Sequence, residues 1–149
     1  MAVPTAVWVG LVHPEITPTS NFHQLRDTTD VLSGVNTVTI VCEMNLPSIK
    51  HTMDLLETIR ELPGAKKPVT VLINKRKRSL FGGDRIPKAK LKQLFGDTPF
   101  DFLPDEHDLM AEAMDRGVTL SDVNSSSKFL KAVTKYATST LLAEKAVSA

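Results

Sequence analysis

Residues 37–74, TVTIVCEMNLPSIKHTMDLLETIRELPGAKKPVTVLIN, contain the alternation that decides the fold. The run NTVTIVCEM (36–44) is β-branched and mostly apolar, which is typical of a buried strand. Asn45-Leu46-Pro47 begins a helix, since proline is tolerated in the first turn, and Pro63-Gly64 ends it. PVTVLIN (68–74) is a second strand that is too apolar to face water. A strand, a helix and a strand of this kind predict a parallel β-α-β unit.

The same alternation continues on both sides of this unit. The four predicted strands are residues 6–12, 36–44, 68–74 and 99–104. The predicted helices are 21–33, 45–62, 86–95, 105–116 with Asp105 as its cap, and a last helix capped by Ser125 to Ser127. We therefore predict an α/β fold with a doubly wound, mostly parallel sheet and helices on both faces. Residues 1–143 would form a single domain and residues 144–149 a frayed tail.

Composition and length are those of an ordinary soluble domain. The 149 residues are 42% hydrophobic and 23% charged, which is enough to bury a core. Cys42 is the single cysteine, so no internal disulfide can form and a reducing cytosol is expected. No apolar run approaches the roughly 20 residues of a membrane span. The first residues carry no basic segment of the signal-peptide kind, so we expect a cytoplasmic protein.

Charge is distributed unevenly along the chain. Between Lys66 and Lys92 the sequence has ten lysines and arginines and one acid, Asp84, whereas the whole chain has a net charge of only +1. The candidate surface for an anionic partner comprises Lys75, Arg76, Lys77, Arg78, Arg85, Lys88 and Lys92. Phe81 is the one aromatic residue among these cations, so base stacking would be weak. We favour a solvated face, or a protein or membrane contact, over nucleic acid.

Ligands of parallel α/β folds bind at the carboxyl ends of the strands. Those ends are Val12-His13-Pro14, Glu43-Met44-Asn45, Asn74-Lys75-Arg76 and Leu103-Pro104-Asp105. The first end lacks the acidic pair that a response-regulator receiver needs, so that hypothesis fails. The four histidines match no metal-ligand spacing, and Cys42 lies within a buried strand. We therefore predict no metal site and no catalytic residue.

Three segments resemble the C-terminal half of MinD/ParA-type P-loop ATPases. They are TIVCEMNLPSIKHTMDLLETIREL, VTVLINKRKRSLFGGDRIPKAKLKQLFGD and FDFLPDEHDLMAEAMDRGVTLSDV. The similarity covers roughly residues 30 to 140 and is closest to the CpaE/TadZ branch, whose members help to position and assemble type IVb (Flp/Tad) pili. It is carried by Glu43 to Pro47, by Asn74 at a strand end, by Leu103-Pro104-Asp105, and by the Gly117-x-x-Leu120 turn.

The resemblance implies a nucleotide site. In the family, an Asn at a strand end and the Pro-containing turn after the next strand form the adenine pocket. Carried over, these residues are Asn74 and Leu103, Pro104 and Asp105. An Asn amide can pair with the adenine edge, although an Asn at this position is also a common turn cap.

Two phosphoryl-transfer elements of the family are missing. The chain has no Gly-x-x-x-x-Gly-Lys-[Ser/Thr] loop, whose amides would cradle phosphate. Aligning Pro14 with the family's proline places Val12 where the magnesium-supporting aspartate should stand. The fold would thus be an incomplete P-loop-ATPase-like one. We expect no ATP hydrolysis and no cofactor in isolation, and ATP with magnesium only if the N-terminal half were present.

Three functional hypotheses stay open at this stage. The first is a non-catalytic protein of pilus assembly or localisation, acting through protein contacts at the inner face of the membrane or the cell pole. The second is the C-terminal half of an active ATPase. The third is a module that binds DNA or an acidic surface through residues 75–92. We also expect a homo-oligomer, because half of such a fold would leave a sheet edge uncovered.

Overall fold

The computed structural model describes residues 7–11, 35, 37–61, 68–76 and 86–147, with backbone alone for 7–11 and 140–147. Its strands are β1 (Val7–Leu11), β2 (Thr37–Glu43), β3 (Val69–Arg76) and β4 (Phe100–Pro104). Its helices are α1 (Leu46–Glu61), α2 (Lys88–Phe95), α3 (His107–Arg116), α4 (Leu120–Val123) and α5 (Lys128–Val147). The strands form one sheet in the order β1-β2-β3-β4, and every neighbouring pair is parallel.

One face of the sheet carries the main core. Val38, Ile40 and Cys42 of β2 lie beside Val69, Val71 and Ile73 of β3, because parallel partners share a face. Buried side chains from α1 and α2 pack in the same cluster: Ile49, Leu56, Ile59, Leu91 and Phe95. Consecutive strand order with crossovers of one hand puts the connecting helices on one side, which explains why α1 and α2 share this face.

The opposite face of the sheet is covered by α5. Thr39 alternates with Val38 and Ile40, so its side chain points away from α1 and α2. Its Oγ1 shares a hydrogen bond with the hydroxyl of Tyr136 on α5, and Thr39 and Leu103 are both buried on this side. Helices therefore cover both faces of a parallel sheet, and the predicted α/β fold class is confirmed.

The predicted element positions agree with the structure to within a few residues where both exist. The strand order along the chain and the helices after β2, β3 and β4 are as expected. The predicted helix 21–33 lies outside the described residues. The single-domain boundary at 143 and the frayed tail stay predictions, with the backbone of α5 running to Val147.

Gly117 ends α3 by its backbone conformation. Gly117 has φ 60° and ψ 33°, the left-handed region in which a side chain is strained. Its N–H donates to the Met114 carbonyl at 3.1 Å, and the next amide, Val118 N, donates to the Ala113 carbonyl at 3.1 Å. These bonds satisfy two carbonyl groups at the end of α3 and turn the chain toward α4.

α2 is eight residues long and buries only Leu91 and Phe95, so we expect a cavity at either position to destabilise the core. Phe95 is 1% exposed, and its ring meets the edge of Phe100 with centroids 5.6 Å apart. We expect Phe95→Ala to lower the free energy of unfolding by about 3–5 kcal/mol, measured by urea denaturation. Gln93→Ala, at an exposed position of the same helix, should change it by less than about 0.5 kcal/mol. Equal effects of the two changes would contradict this packing.

Candidate functional site

The carboxyl edge of the sheet opens into a cleft beside the last two strands. The cleft has a volume of about 690 Å³. It is lined by Arg76, Phe102, Pro104, Asp105, Glu106, Lys128 and Ala132. Residues from β3, β4, the following turn and the first turns of α5 therefore meet at the position where ligands of parallel α/β folds bind.

The aromatic wall of the cleft is occupied by a cation of the protein itself. The guanidinium carbon of Arg76 lies 4.0 Å from the centroid of the Phe102 ring, within the range of a cation–π contact. The ring is held in turn by Phe100, whose centroid is 5.7 Å away in an edge arrangement. The carbonyl of Arg76 accepts a hydrogen bond from Asp105 N at 3.2 Å. Arg76 thus connects the end of β3 to the turn after β4.

Glu106 lines the cleft at the point where the cleft meets α5. Its carboxylate accepts hydrogen bonds from the Ser127 hydroxyl, from Lys128 N at 3.1 Å and from Phe129 N at 3.0 Å. The Ser127 hydroxyl contributes most, and the backbone amides add to it, in holding the pKa of Glu106 below its usual value. An anion at the positive end of a helix is stabilised by the free amide groups there. Glu106 therefore fixes α5 to the carboxyl edge of the sheet.

The predicted cap of α3 is wrong in its detail. Asp105 does not take the N-cap position, because α3 begins at His107 and Glu106 precedes it. No side chain caps α3, since the Glu106 carboxylate is turned toward α5 instead. The serine cap predicted for the last helix is confirmed, with Ser127 Oγ accepting from Leu130 N at 3.2 Å.

A second polar cluster joins the ends of β2 and β3. Asn74 Oδ1 accepts a hydrogen bond from Lys75 N at 2.8 Å, and Lys75 has a positive φ of 57°. The Lys75 ammonium lies 2.5 Å from Glu43 Oε1, and this hydrogen bond raises the pKa of Lys75. The other carboxylate oxygen of Glu43 accepts from Asn45 Nδ2 at 3.2 Å. The strand ends are thereby bound to each other by their own side chains.

The four residues predicted to line an adenine pocket have different local surroundings, and their contact with a nucleotide stays a prediction. Pro104 and Asp105 line the cleft, whereas Leu103 is 5% exposed on the α5 face of the sheet. Asn74 belongs to the cluster with Lys75 and is not among the lining residues. Glu106 and Phe102 could not be assigned to the site from the sequence, because the contacts that bring them there, with α5 and with Arg76, join residues far apart along the chain.

The residues of the predicted cationic surface lie in different surroundings. Lys75 is paired with Glu43, and Arg76 lies over Phe102 inside the cleft. Lys88 and Lys92 are exposed on α2. Lys77, Arg78 and Arg85 lie outside the described residues. The described members of this set therefore do not all lie on one exposed surface that could bind an anionic partner.

Other candidate chemistry is limited in the residues that the structure describes. Burial raises the pKa of the Cys42 thiol to about 11, against a smaller opposing effect of a hydrogen bond with Thr52, so this thiol stays protonated at neutral pH. In the described ranges no three His, Cys, Asp or Glu side chains lie close enough to hold a metal ion. None of the described helices is long and apolar enough to span a membrane.

Comparison with known proteins bears on the fold. No protein-family model matches the chain, and no curated protein matches it either. Among solved structures, it is similar to a ParA family ATPase from Chlorobium tepidum TLS, with a TM-score of 0.61 and 22% sequence identity. The match covers 72% of this chain and 42% of that chain. The chain therefore has a ParA-like fold and spans less than half the length of that structure.

The hydrogen bonds to Glu106 predict a pH dependence of stability. A folded-state pKa below the usual 4.5 gives a stabilisation that is complete above that pH and is lost as pH falls through the folded-state pKa. We expect Glu106→Gln to lower the free energy of unfolding by about 1 kcal/mol at pH 7, because the charged cap is lost. The difference from the parent protein should shrink below about pH 4.

Thermal unfolding followed by circular dichroism between pH 3 and pH 7 measures this effect. Asp54→Asn, an exposed carboxylate change on α1, is the matched control and should show little difference at any pH. A constant deficit of the Glu106→Gln variant at every pH would mean that the charge of Glu106 plays no part.

Proposed function

We propose that this chain is a MinD/ParA-like protein that does not hydrolyse ATP by itself and acts through protein contacts in type IVb (Flp/Tad) pilus assembly or localisation. The ParA-like fold supports the broader part of the proposal. The ordered segments around Pro47, Asn74, Pro104 and Leu120, which resemble the CpaE/TadZ branch, support the finer part. The site of action would be the cytoplasm, at the inner face of the membrane or the cell pole.

The observation that carries the non-catalytic part is the surroundings of Asn74. Its Oδ1 accepts the Lys75 amide at 2.8 Å, so this side chain has a role in the local turn that needs no base. The cleft beside β3 and β4 has Arg76 over its aromatic ring, where the guanidinium takes the stacking position that a planar base would need. Both contacts indicate that polar groups at this edge of the sheet bind partners within the protein, which favours the non-catalytic proposal.

The sequence lacks the elements that hold phosphate and magnesium in the family. The 149 residues contain no Gly-x-x-x-x-Gly-Lys-[Ser/Thr] segment, and Val12 stands at the position of the magnesium-supporting aspartate. Contacts to a base alone would leave the phosphates of ATP without their usual partners. Hydrolysis also needs a bound metal ion and a positioned water molecule. Val12 cannot supply the carboxylate that supports magnesium in the family.

A competent ATPase completed by a further segment or chain is the second candidate. It is favoured by the match to 42% of a ParA family ATPase and by Pro104 and Asp105 at the cleft. ATP and magnesium would then be the cofactors, and the Asn74 side chain would have to leave Lys75 N to pair with adenine. The two candidates differ in whether the chain binds nucleotide.

Nucleotide binding separates these candidates directly. We expect fluorescent ATP or ADP, titrated with magnesium, to show no binding tighter than about 1 μM, equivalent to about −8 kcal/mol. No phosphate release should be detected from ATP. The Asn74→Ala variant is the control and should behave like the parent. Tight binding that Asn74→Ala weakens would instead support the ATPase hypothesis.

The pilus role has its own test in the cell. We expect deletion of the gene to remove or misplace Flp/Tad pili, counted by electron microscopy. Complementation with the parent chain and with Asn74→Ala should restore them equally, because the proposed role needs protein contacts and no nucleotide. Pili of normal number and position after deletion would overturn the proposed role.

A further inference from the structure

The end of α3 carries apolar side chains that the rest of the described chain leaves exposed. Across the residues that the structure describes, the exposed large apolar side chains are Leu46, Met114, Val118 and Val133. Leu46 and Val133 stand singly on other helices, whereas Met114 lies in the last turn of α3 and Val118 directly follows the glycine that ends it. Met114 is 81% exposed and Val118 is 38% exposed. Exposed apolar area that is concentrated in one place indicates a contact with another molecule.

Helical spacing extends this apolar area along α3. Successive residues of an α-helix are about 100° apart around its axis, so Met110 and Ala111 lie within about 60° of Met114. Both are half-buried, whereas Ala113, about 100° to one side, is 6% exposed and faces the protein. We define the α3 stripe by Met110, Ala111, Met114 and Val118. Methionine suits a contact surface, because its flexible thioether chain adapts to the shape of a partner.

A border of carboxylates follows the outer side of the α3 stripe. Asp108 and Asp115 are both exposed and lie about 20° from each other, at about 100–120° from Met114. They therefore stand beside the stripe, on the side that points away from the protein. Arg116 lies farther around the helix, with its guanidinium 2.8 Å from the Glu112 carboxylate, so it does not separate the stripe from its acidic border.

The charge around the α3 stripe selects the class of partner. Residues 105–122 contain six carboxylates, one arginine and no lysine. The phosphates of a nucleic acid or of an anionic membrane would be repelled by this field. A protein segment with lysine or arginine beside apolar side chains would be attracted by the carboxylates and could cover the stripe. A helix places the two kinds of side chain on adjacent sides, and α3 with its ten residues offers about 15 Å of length for it.

The α3 stripe is held in a fixed shape by the turn that follows it. After the left-handed Gly117, Thr119 N donates to Asp122 Oδ2 at 3.0 Å, and Asp122 N donates to Thr119 Oγ1 at 3.3 Å. This capping box begins α4 and fixes the direction of the chain beyond Val118. Little conformational freedom would therefore be lost when a partner binds here.

We propose that the α3 stripe is the docking site for a basic amphipathic helix of a partner protein. The apolar side of that helix covers Met114 and Val118, and its lysines or arginines face Asp108 and Asp115. The apolar contact supplies most of the affinity, and the carboxylates orient the partner. The inference goes beyond the proposed function, because it depends on neither pili nor nucleotide.

Fluorescence anisotropy of a labelled peptide, titrated with the purified full chain, tests the proposal. The probe is a synthetic helix of about 14 residues with leucines on one side and lysines along the border of that side. We expect a Kd of about 10–100 μM for the parent chain. A peptide of the same composition in shuffled order, and a peptide with glutamate in place of lysine, should each bind at least about tenfold more weakly. Absence of binding, or equal binding of the three peptides, would overturn the proposal.

Substitutions in the α3 stripe and in its border separate the two contributions. Met114→Gln with Val118→Thr should weaken peptide binding about tenfold, because the apolar contact is lost. Asp108→Asn with Asp115→Asn should weaken it about threefold, because exposed charges contribute less.

Matched control variants are available on α1. Leu46→Gln removes an apolar side chain that is 69% exposed, and Asp54→Asn with Glu61→Gln removes two exposed carboxylates that are also seven residues apart. Each control should change peptide binding by less than about twofold. Controls that weaken binding as much as the α3 variants would show that exposed charge or apolar area in general binds the peptide, which would overturn the proposal. Circular dichroism melting curves confirm that all variants are folded.

Methyl NMR of protein labelled at its five methionines locates the contact. The Met114 signal, identified by its loss in Met114→Gln, should shift when the peptide is added, while the signal of the buried Met44 should not. A Met114 signal that bound peptide leaves unchanged would overturn the proposal. So would a Met114 signal that shifts with protein concentration in the absence of peptide, because a second copy of the chain would then cover the stripe.

Discussion

Parallel pairing of β2 with β3 is the constraint on which the rest of this structure depends. Because parallel strands need a crossover, α1 must lie against the sheet, and both faces of the sheet must be buried. The two strands meet this demand with β-branched side chains on one face and with Thr39 on the other. The same pairing aligns Glu43 with Asn74, so polar strand ends collect at one edge.

Local sequence signals were sufficient for most of the architecture. Apolar β-branched runs placed the strands, and Pro47 and Gly117 marked a helix beginning and a helix end, because each residue acts on its own backbone. The capping box at Thr119 and Asp122 also has a spacing that can be recognised in the sequence.

The site itself could be predicted only in part. Strand-end reasoning and resemblance select Pro104 and Asp105, and both line the cleft, while their contact with adenine stays a prediction. Glu106 caps a helix that begins 22 residues later, and Arg76 lies over a ring 26 residues away, so no short-range pattern reveals either contact. A basic run also does not state which of its cations are used internally, which is why Lys75 and Lys88 look alike in the sequence but differ in the fold.

The internal pairing of this edge bears on what the protein can do. A catalytic site holds oriented donors and charges without partners until a substrate binds, and this arrangement lowers the stability of the fold. Here the Glu43 carboxylate holds Lys75, the Glu106 carboxylate holds α5, and Arg76 and Asp105 each have partners within the protein. A substrate would have to displace these contacts before it gained its own. Asp115 and Lys92, by contrast, are exposed on outward helix faces. A second protein can bind charges of this kind without displacing a contact within the chain.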